Sequence, residues 1–160
     1  MILEIGTGKT NKNTFLNHEN VIHVDLDPEC HHLETLCDTH KLPFKNNMFN
    51  TVYCAHVLEH CINPYRVLNE MRRVSKNNVI IKIPNISYNK SIDESEQHIY
   101  SWSQSTLKRL LKKVFSNVEI ENTHLIRPNS LKFYNLFYWI KLIFLKKFLG
   151  NNELTAYCKK

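Results

Sequence analysis

Short apolar, β-branched runs recur at Ile2 to Ile5, Val21 to Val24, Thr51 to Cys54, Val79 to Ile83, Val118 to Ile120 and Leu154 to Cys158, and between them the apolar positions switch to helical spacing. That alternation predicts an α/β sheet, mainly parallel. The clearest helix takes Asn63 as N-cap and Pro64 as its first residue, and Val67, Leu68, Met71 and Val74 fall on one face. A second helix starts at about Ser103, with Leu107, Leu110, Leu111 and Val114 on one side and Lys108, Arg109, Lys112 and Lys113 on the other. The basic side reads as a solvated face.

The stretch from Leu131 to Leu149 is nineteen residues with fourteen apolar or aromatic ones. Lys132, Lys141, Lys146 and Lys147 interrupt it, so no uncharged run reaches the roughly 20 residues that a membrane span needs. At about 100° per residue its polar positions gather in one sector, which leaves a broad face of Phe133, Phe137, Ile140, Phe144 and Leu145. An inserted amphipathic helix is expected there, covering an acceptor pocket or pairing two copies of the chain as a homodimer.

With 160 residues, 42% of them hydrophobic and 22% charged, the chain suits one globular domain, 1–160. The formal charge of +6 is local: from Leu131 onward there are six lysines against Glu153 alone. A basic groove is therefore not implied, and nucleic acid is not the expected partner. Five irregularly spaced cysteines, with no charged-then-apolar signal segment at the start, fit a reducing cytoplasm.

Only three glycines occur, and two of them, Gly6 and Gly8, stand in one loop after the first strand: Glu4-Ile5-Gly6-Thr7-Gly8-Lys9-Thr10. Glycine this scarce marks a place where a side chain cannot be tolerated. Three ligand classes compete for the loop. A P-loop would need a glycine where Leu3 stands, and a nicotinamide-dinucleotide fingerprint would need one at Asn11. S-adenosylmethionine, a sulfonium with an amino-acid tail, suits Glu4, whose carboxylate attracts an ammonium and would repel a pyrophosphate. Asp25, in Val24-Asp25-Leu26-Asp27-Pro28, then stands at a strand tip where it can accept ribose hydroxyls, or else caps its own turn. Asp38, before Leu42-Pro43-Phe44, offers a third carboxylate for an adenine amino group.

These segments, with Phe49-Asn50-Thr51-Val52 and His56-Val57-Leu58-Glu59-His60, resemble in order and spacing the class I, Rossmann-like S-adenosylmethionine-dependent methyltransferases, specifically their small type 11-like group. The match extends through Asn63-Pro64, Glu70 to Val74, Val79 to Pro84, His98 to Trp102 and Phe115 to Ile120. The resemblance implies a three-layer α/β sandwich on a seven-stranded, mostly parallel sheet with an antiparallel last strand. It also implies that Glu4, Gly6, Thr7 and Gly8 hold the methionine end, Asp25 and Leu26 the ribose, and Asp38 and Thr39 the adenine. Cys54 and Ala55 then lie near the sulfonium. Thr10 replaces the family's usual third glycine, and only twelve residues separate Gly8 from Val21, so the first helix is short. The thirteen-residue step from Asp25 to Asp38 pares down the third-strand edge.

Methyl transfer asks the protein to align nucleophile, methyl and sulfur, with a base added when the acceptor is a hydroxyl. His60, just beyond the fourth strand, and His98, beyond the fifth, are the candidate catalytic residues; each could equally be a packed or capping histidine. The cluster Cys30, His31, His32, Cys37 and His40 lacks paired Cys-x-x-Cys spacing, so no metal is expected there or elsewhere. The expected function is methyl transfer to a small-molecule or saccharide hydroxyl. A methyltransferase-like partner subunit without turnover is the alternative, and RNA methylation is a third reading.

Overall fold

A computed structural model describes residues 1–8, 20–30, 33–85, 98–123 and 153–160, and in these the α/β alternation is realised. The elements are β1 (Ile2–Ile5), β2 (Val21–Asp25), β3 (Thr35–Leu36), β4 (Phe49–Ala55), a 3₁₀ turn (Leu58–His60), α1 (Pro64–Val74), β5 (Ser75–Pro84), α2 (Gln104–Leu111), β6 (Asn117–Thr123) and β7 (Glu153–Lys159). Seven strands form one sheet in the order β3-β2-β1-β4-β5-β7-β6. The pairs from β3 through β5 are parallel, and β7 runs antiparallel to both β5 and β6. The expected short first helix, the His31 and His32 positions and the expected helix at 131–149 lie outside the described residues.

The central strands are apolar at most positions because parallel strands are covered on both faces. Leu3, Ile5, Val24, Val52, Cys54, Val79, Ile81, Ile83, Leu154 and Ala156 are fully enclosed. Onto them α1 lays Val67, Leu68, Met71 and Val74, the stripe that the spacing predicts. Its N-terminus is closed by the Asn63 side chain, which accepts from the Arg66 amide at 3.0 Å. Ser103 closes α2 in a capping box with Thr106. This helix is shorter than its apolar pattern: regular structure stops at Leu111, and Val114 is buried from the turn beyond it.

One strand departs from its expected length, and another is as short as expected. β5 begins at Ser75, directly after α1, although Lys76, Asn77 and Asn78 are polar and exposed. Asn78 pairs with Lys159, and Lys160 donates its amide to Asn77, so a neighbouring strand imposes extension on residues of low strand propensity. β3 has only two paired residues, Val24 facing Thr35 and Asp25 facing Leu36, which is the pared-down edge.

The topology determines where loops meet. β1 lies between β2 and β4, so the segments leaving the carboxyl ends of these three strands emerge side by side at the point where the strand order reverses, the place where open α/β sheets bind ligands.

Candidate functional site

Gly6 and Gly8 both adopt left-handed backbone, with φ of +79° and +72°. A Cβ at Gly6 would stand 2.1 Å from Val57 Cγ2, so the loop after β1 can pass the segment after β4 only as bare backbone. The Gly8 amide reaches across to Asp25 at the tip of β2, donating to Oδ2 at 3.1 Å. Asp25 Oδ1 accepts from the amides of Leu26 and Asp27 at 2.7 and 3.0 Å. Among the described residues three N–H groups hold this carboxylate, two on Oδ1 and one on Oδ2.

Asp38 follows β3. Its Oδ1 accepts from the His40 amide at 2.9 Å and meets His40 Nδ1 at 2.7 Å. The Asn63 amide donates to His40 Nε2 at 3.2 Å, so the ring proton belongs on Nδ1, toward Asp38. The hydrogen bonds from the His40 backbone and ring hold the Asp38 carboxyl below its usual range. It is ionised at neutral pH.

Arg73 fixes the loop that follows. Its guanidinium donates to the Leu42 and Phe44 carbonyls and to both oxygens of Glu70, while Glu70 accepts from the Leu42 amide. The Leu42-Pro43-Phe44 segment is thereby tied to α1.

A cavity of about 310 Å³ opens between these loops, walled by Gly6, Gly8, Asp25, Leu26, Asp38, Thr39, His40, His56, Val57, His60 and Cys61. Of the expected site residues, Gly6, Gly8, Asp25, Leu26, Asp38, Thr39 and His60 meet on its wall. Glu4 does not: it is buried, with Oε2 2.8 Å from His23 Nδ1 on the adjacent strand. Two carboxylates converge on the cavity where sequence spacing suggested three. Thr7, Cys54 and Ala55 are buried behind the wall, and His98 packs its ring on His60 with centroids 4.8 Å apart. Burial pushes the Cys54 and Cys61 thiols upward, which keeps them uncharged and poor nucleophiles.

His40 and His56 are wall residues that the sequence reading did not select. His56 stands just past β4 with φ of +56°, its amide bonded to the Lys82 carbonyl. Its Nε2 lies 3.0 Å from Glu153 Oε1 and its Nδ1 lies 3.5 Å from Glu59 Oε1. Burial alone would depress its pKa, but Glu153 and Glu59 outweigh that and push it up to about 9. Burial likewise opposes ionisation of Glu153, and His56 and Lys82 overcome it, holding that carboxyl below its usual range. Lys82 Nζ is 3.3 Å from Glu153 Oε2. The signal for His56 was present in the His-x-x-Glu-His pattern after β4; that for Glu153 was not, because it is supplied from 97 positions away.

Residues 3–83, half of the chain, match the family model described as a methyltransferase domain. The chain belongs to this family. Its fold is that of the class I, Rossmann-like S-adenosylmethionine-dependent methyltransferases, and S-adenosylmethionine is the family's cofactor.

Three solved structures illustrate the shared methyltransferase fold. A SAM-dependent methyltransferase from Archaeoglobus fulgidus superposes with a TM-score of 0.71 at 19% identity, over 99% of this chain and 85% of that one. A possible histamine N-methyltransferase from Thermotoga maritima gives 0.72 at 18% identity, over 99% and 81%. Phosphoethanolamine N-methyltransferase 2 of Haemonchus contortus, in complex with S-adenosyl-L-methionine, gives 0.63 at 16% identity, over 98% and 47%. An uncharacterized protein of Methanocaldococcus jannaschii is 56% identical over 36 residues; the match spans 22% of this chain and 16% of that relative's length.

The methyltransferase cavity suits that cofactor on its own geometry. Its volume falls in the range of about 300–1,000 Å³ typical of small-molecule sites. Gly6 and Gly8 put bare backbone on its wall, and Asp25 and Asp38 present fixed carboxylates. Among the described residues, no helix is long and apolar enough to cross a membrane.

Proposed function

We propose that this chain transfers a methyl group from S-adenosylmethionine to a hydroxyl of a small molecule or saccharide. The observation that carries the reading is the single cavity that gathers the glycine loop, two oriented carboxylates and a wall histidine at the ends of β1, β2 and β4. When bound, the cofactor supplies a methyl group activated by positive sulfur.

The residues then have distinct tasks. Asp25, held by three amides, accepts from ribose hydroxyls, and Leu26 lies beside it. Asp38, kept ionised by His40, accepts from the adenine amino group, with Thr39 next to it on the wall. Gly6 and Gly8 admit the methionine end close to backbone. Around His56, two carboxylates, Glu59 and Glu153, face two basic side chains, His56 and Lys82, so this corner does not confront a sulfonium with unbalanced positive charge.

His60 stands on the wall with His98 against it, and an imidazole nitrogen there is placed to receive the proton of an acceptor hydroxyl. A hydroxyl acceptor, whose pKa lies far above neutral, needs such a group to take its proton as it is methylated. The test is a screen of alcohols, phenols and saccharides with S-adenosylmethionine labelled in its methyl group. Label transferred to oxygen by the wild type and lost in His60→Ala supports the reading. Cofactor binding without transfer to any acceptor would assign the chain to a binding or partner role, and transfer to RNA would assign it to a nucleic-acid substrate.

A further inference from the structure

The side chains of Glu59, His60 and His98 each present one donor atom within 4.8 Å of the other two. We infer that this cluster is a divalent metal site at the acceptor end of the cavity, of the kind that a first-row transition ion such as zinc, cobalt or manganese occupies.

The backbone builds the cluster. Glu59 and His60 end the 3₁₀ turn after β4. The amides of Ile99 and Tyr100 both donate to the Glu59 carbonyl, at 2.9 and 3.1 Å, and the Tyr100 hydroxyl donates to the Ile62 carbonyl at 3.2 Å. The segment after β5 is thus clamped onto the turn after β4, which sets the His98 ring against that of His60.

The second observation concerns Glu59 itself. Its side chain is 1% exposed, and among the described residues neither carboxylate oxygen has a partner in hydrogen-bonding geometry. The nearest basic group, His56 Nδ1, is 3.5 Å from Oε1. A buried carboxylate left so poorly satisfied is costly, and a cation at Oε2 would remove that cost. Two imidazoles and one carboxylate form a donor set suited to transition ions, with positions left for water or substrate; magnesium and calcium prefer oxygen alone. Donor atoms about 2.0–2.1 Å from a tetrahedral ion lie roughly 3.4 Å apart, so the cluster must contract on binding. His60 is exposed and His98 half-buried.

Because His60 is also on the cavity wall, an ion held there would border the space assigned to the acceptor. There an ion would bind the acceptor oxygen and lower its pKa. With His60 engaged as a ligand, the O–H proton would leave to solvent water in place of His60, the oxygen would form its bond to the methyl carbon, and the carbon–sulfur bond would break to give S-adenosylhomocysteine. This use of the ion rests on the hydroxyl reading above; the binding of the ion does not.

The experiment titrates the full chain, stripped of metal, with Co²⁺. Saturable uptake of one ion per chain, with ligand-field bands and no sulfur-to-cobalt band, is expected. Affinity should fall by about tenfold or more in His98→Ala and in Glu59→Gln. In the wild type, Zn²⁺ should protect His60 and His98 from carbethoxylation, a readout that needs no variant to fold. No saturable uptake, a thiolate spectrum, affinity unchanged from wild type in either variant or unprotected histidines would each overturn the site. Metal uptake without methyl transfer would keep the site and remove the proposed function; transfer that persists in chelator, with no uptake, would do the reverse.

Discussion

The Gly8 amide donates to Asp25 Oδ2 at 3.1 Å, so the loop after β1 fixes the carboxylate at the tip of β2 across the mouth of the cavity. Asp25 is therefore a brace as well as the proposed ligand of the ribose. Asp25→Ala should weaken S-adenosylhomocysteine binding by at least about tenfold, since a hydrogen bond to a charged group contributes roughly 1.5–3 kcal/mol. Asp25→Asn, which restores an oxygen without the charge, should fall between the two. Calorimetric titration measures both, and equal affinity in all three proteins would refute the assignment.

Gly6→Ala is expected to lower stability and cofactor affinity together. Left-handed backbone costs a non-glycine residue roughly 1–2 kcal/mol, and the added carbon would also meet Val57 Cγ2 at 2.1 Å. Val57→Ala in the same chain should recover the steric part and leave the backbone part. Urea melts of the single and double variants separate the two contributions.

Glu70 yields a pH prediction. Its hydrogen bonds to Arg73 hold the carboxyl below its ordinary value of 4.5, so its stabilising effect is present above that value and is lost as pH falls below it. At pH 7, Glu70→Gln should cost roughly 1–3 kcal/mol, and the difference from wild type should shrink on acidification from about pH 5 toward pH 3. A difference that grows on acidification would contradict the sign. Melting temperatures across that range decide it.

The contact between His56 and Glu153 joins the end of β4 to the start of β7 and should be visible as coupling. His56→Asn keeps a residue tolerant of positive φ while removing the imidazole. Against Glu153→Gln, a double-mutant cycle should give about 1 kcal/mol of favourable interaction, limited by the partial exposure of His56. Additive losses would show that Lys82 alone satisfies Glu153.

The sheet was legible because buried strands leave a strong apolar trace, interrupted only by Lys82 in the partly parallel-paired Val79 to Ile83 and alternating in the antiparallel Leu154 to Cys158. The polar start of β5 was not legible, since Asn77 and Asn78 are extended only by pairing with the chain's last residues. Gly6, Gly8, Asp25 and Asp38 could be placed because strand-end loops bear local signatures. Glu4 shows the limit of that method: alternation along β1 turns its side chain away from the face shared by Leu3 and Ile5, and His23 across the ladder receives it. His56 escaped notice because its partner Glu153 is distant in sequence, and the clamp that brings His98 to His60 depends on amides of Ile99 and Tyr100 that carry no side-chain signal.

The central claim is that one cavity, bounded by the Gly6–Gly8 loop, Asp25 and Asp38, holds the adenosyl cofactor. A crystal structure of the chain with S-adenosylhomocysteine tests it most directly. The account predicts the ribose at Asp25, the adenine beside Asp38 and the sulfur turned toward His60; a ligand seated elsewhere, or with its ribose away from Asp25, would contradict it.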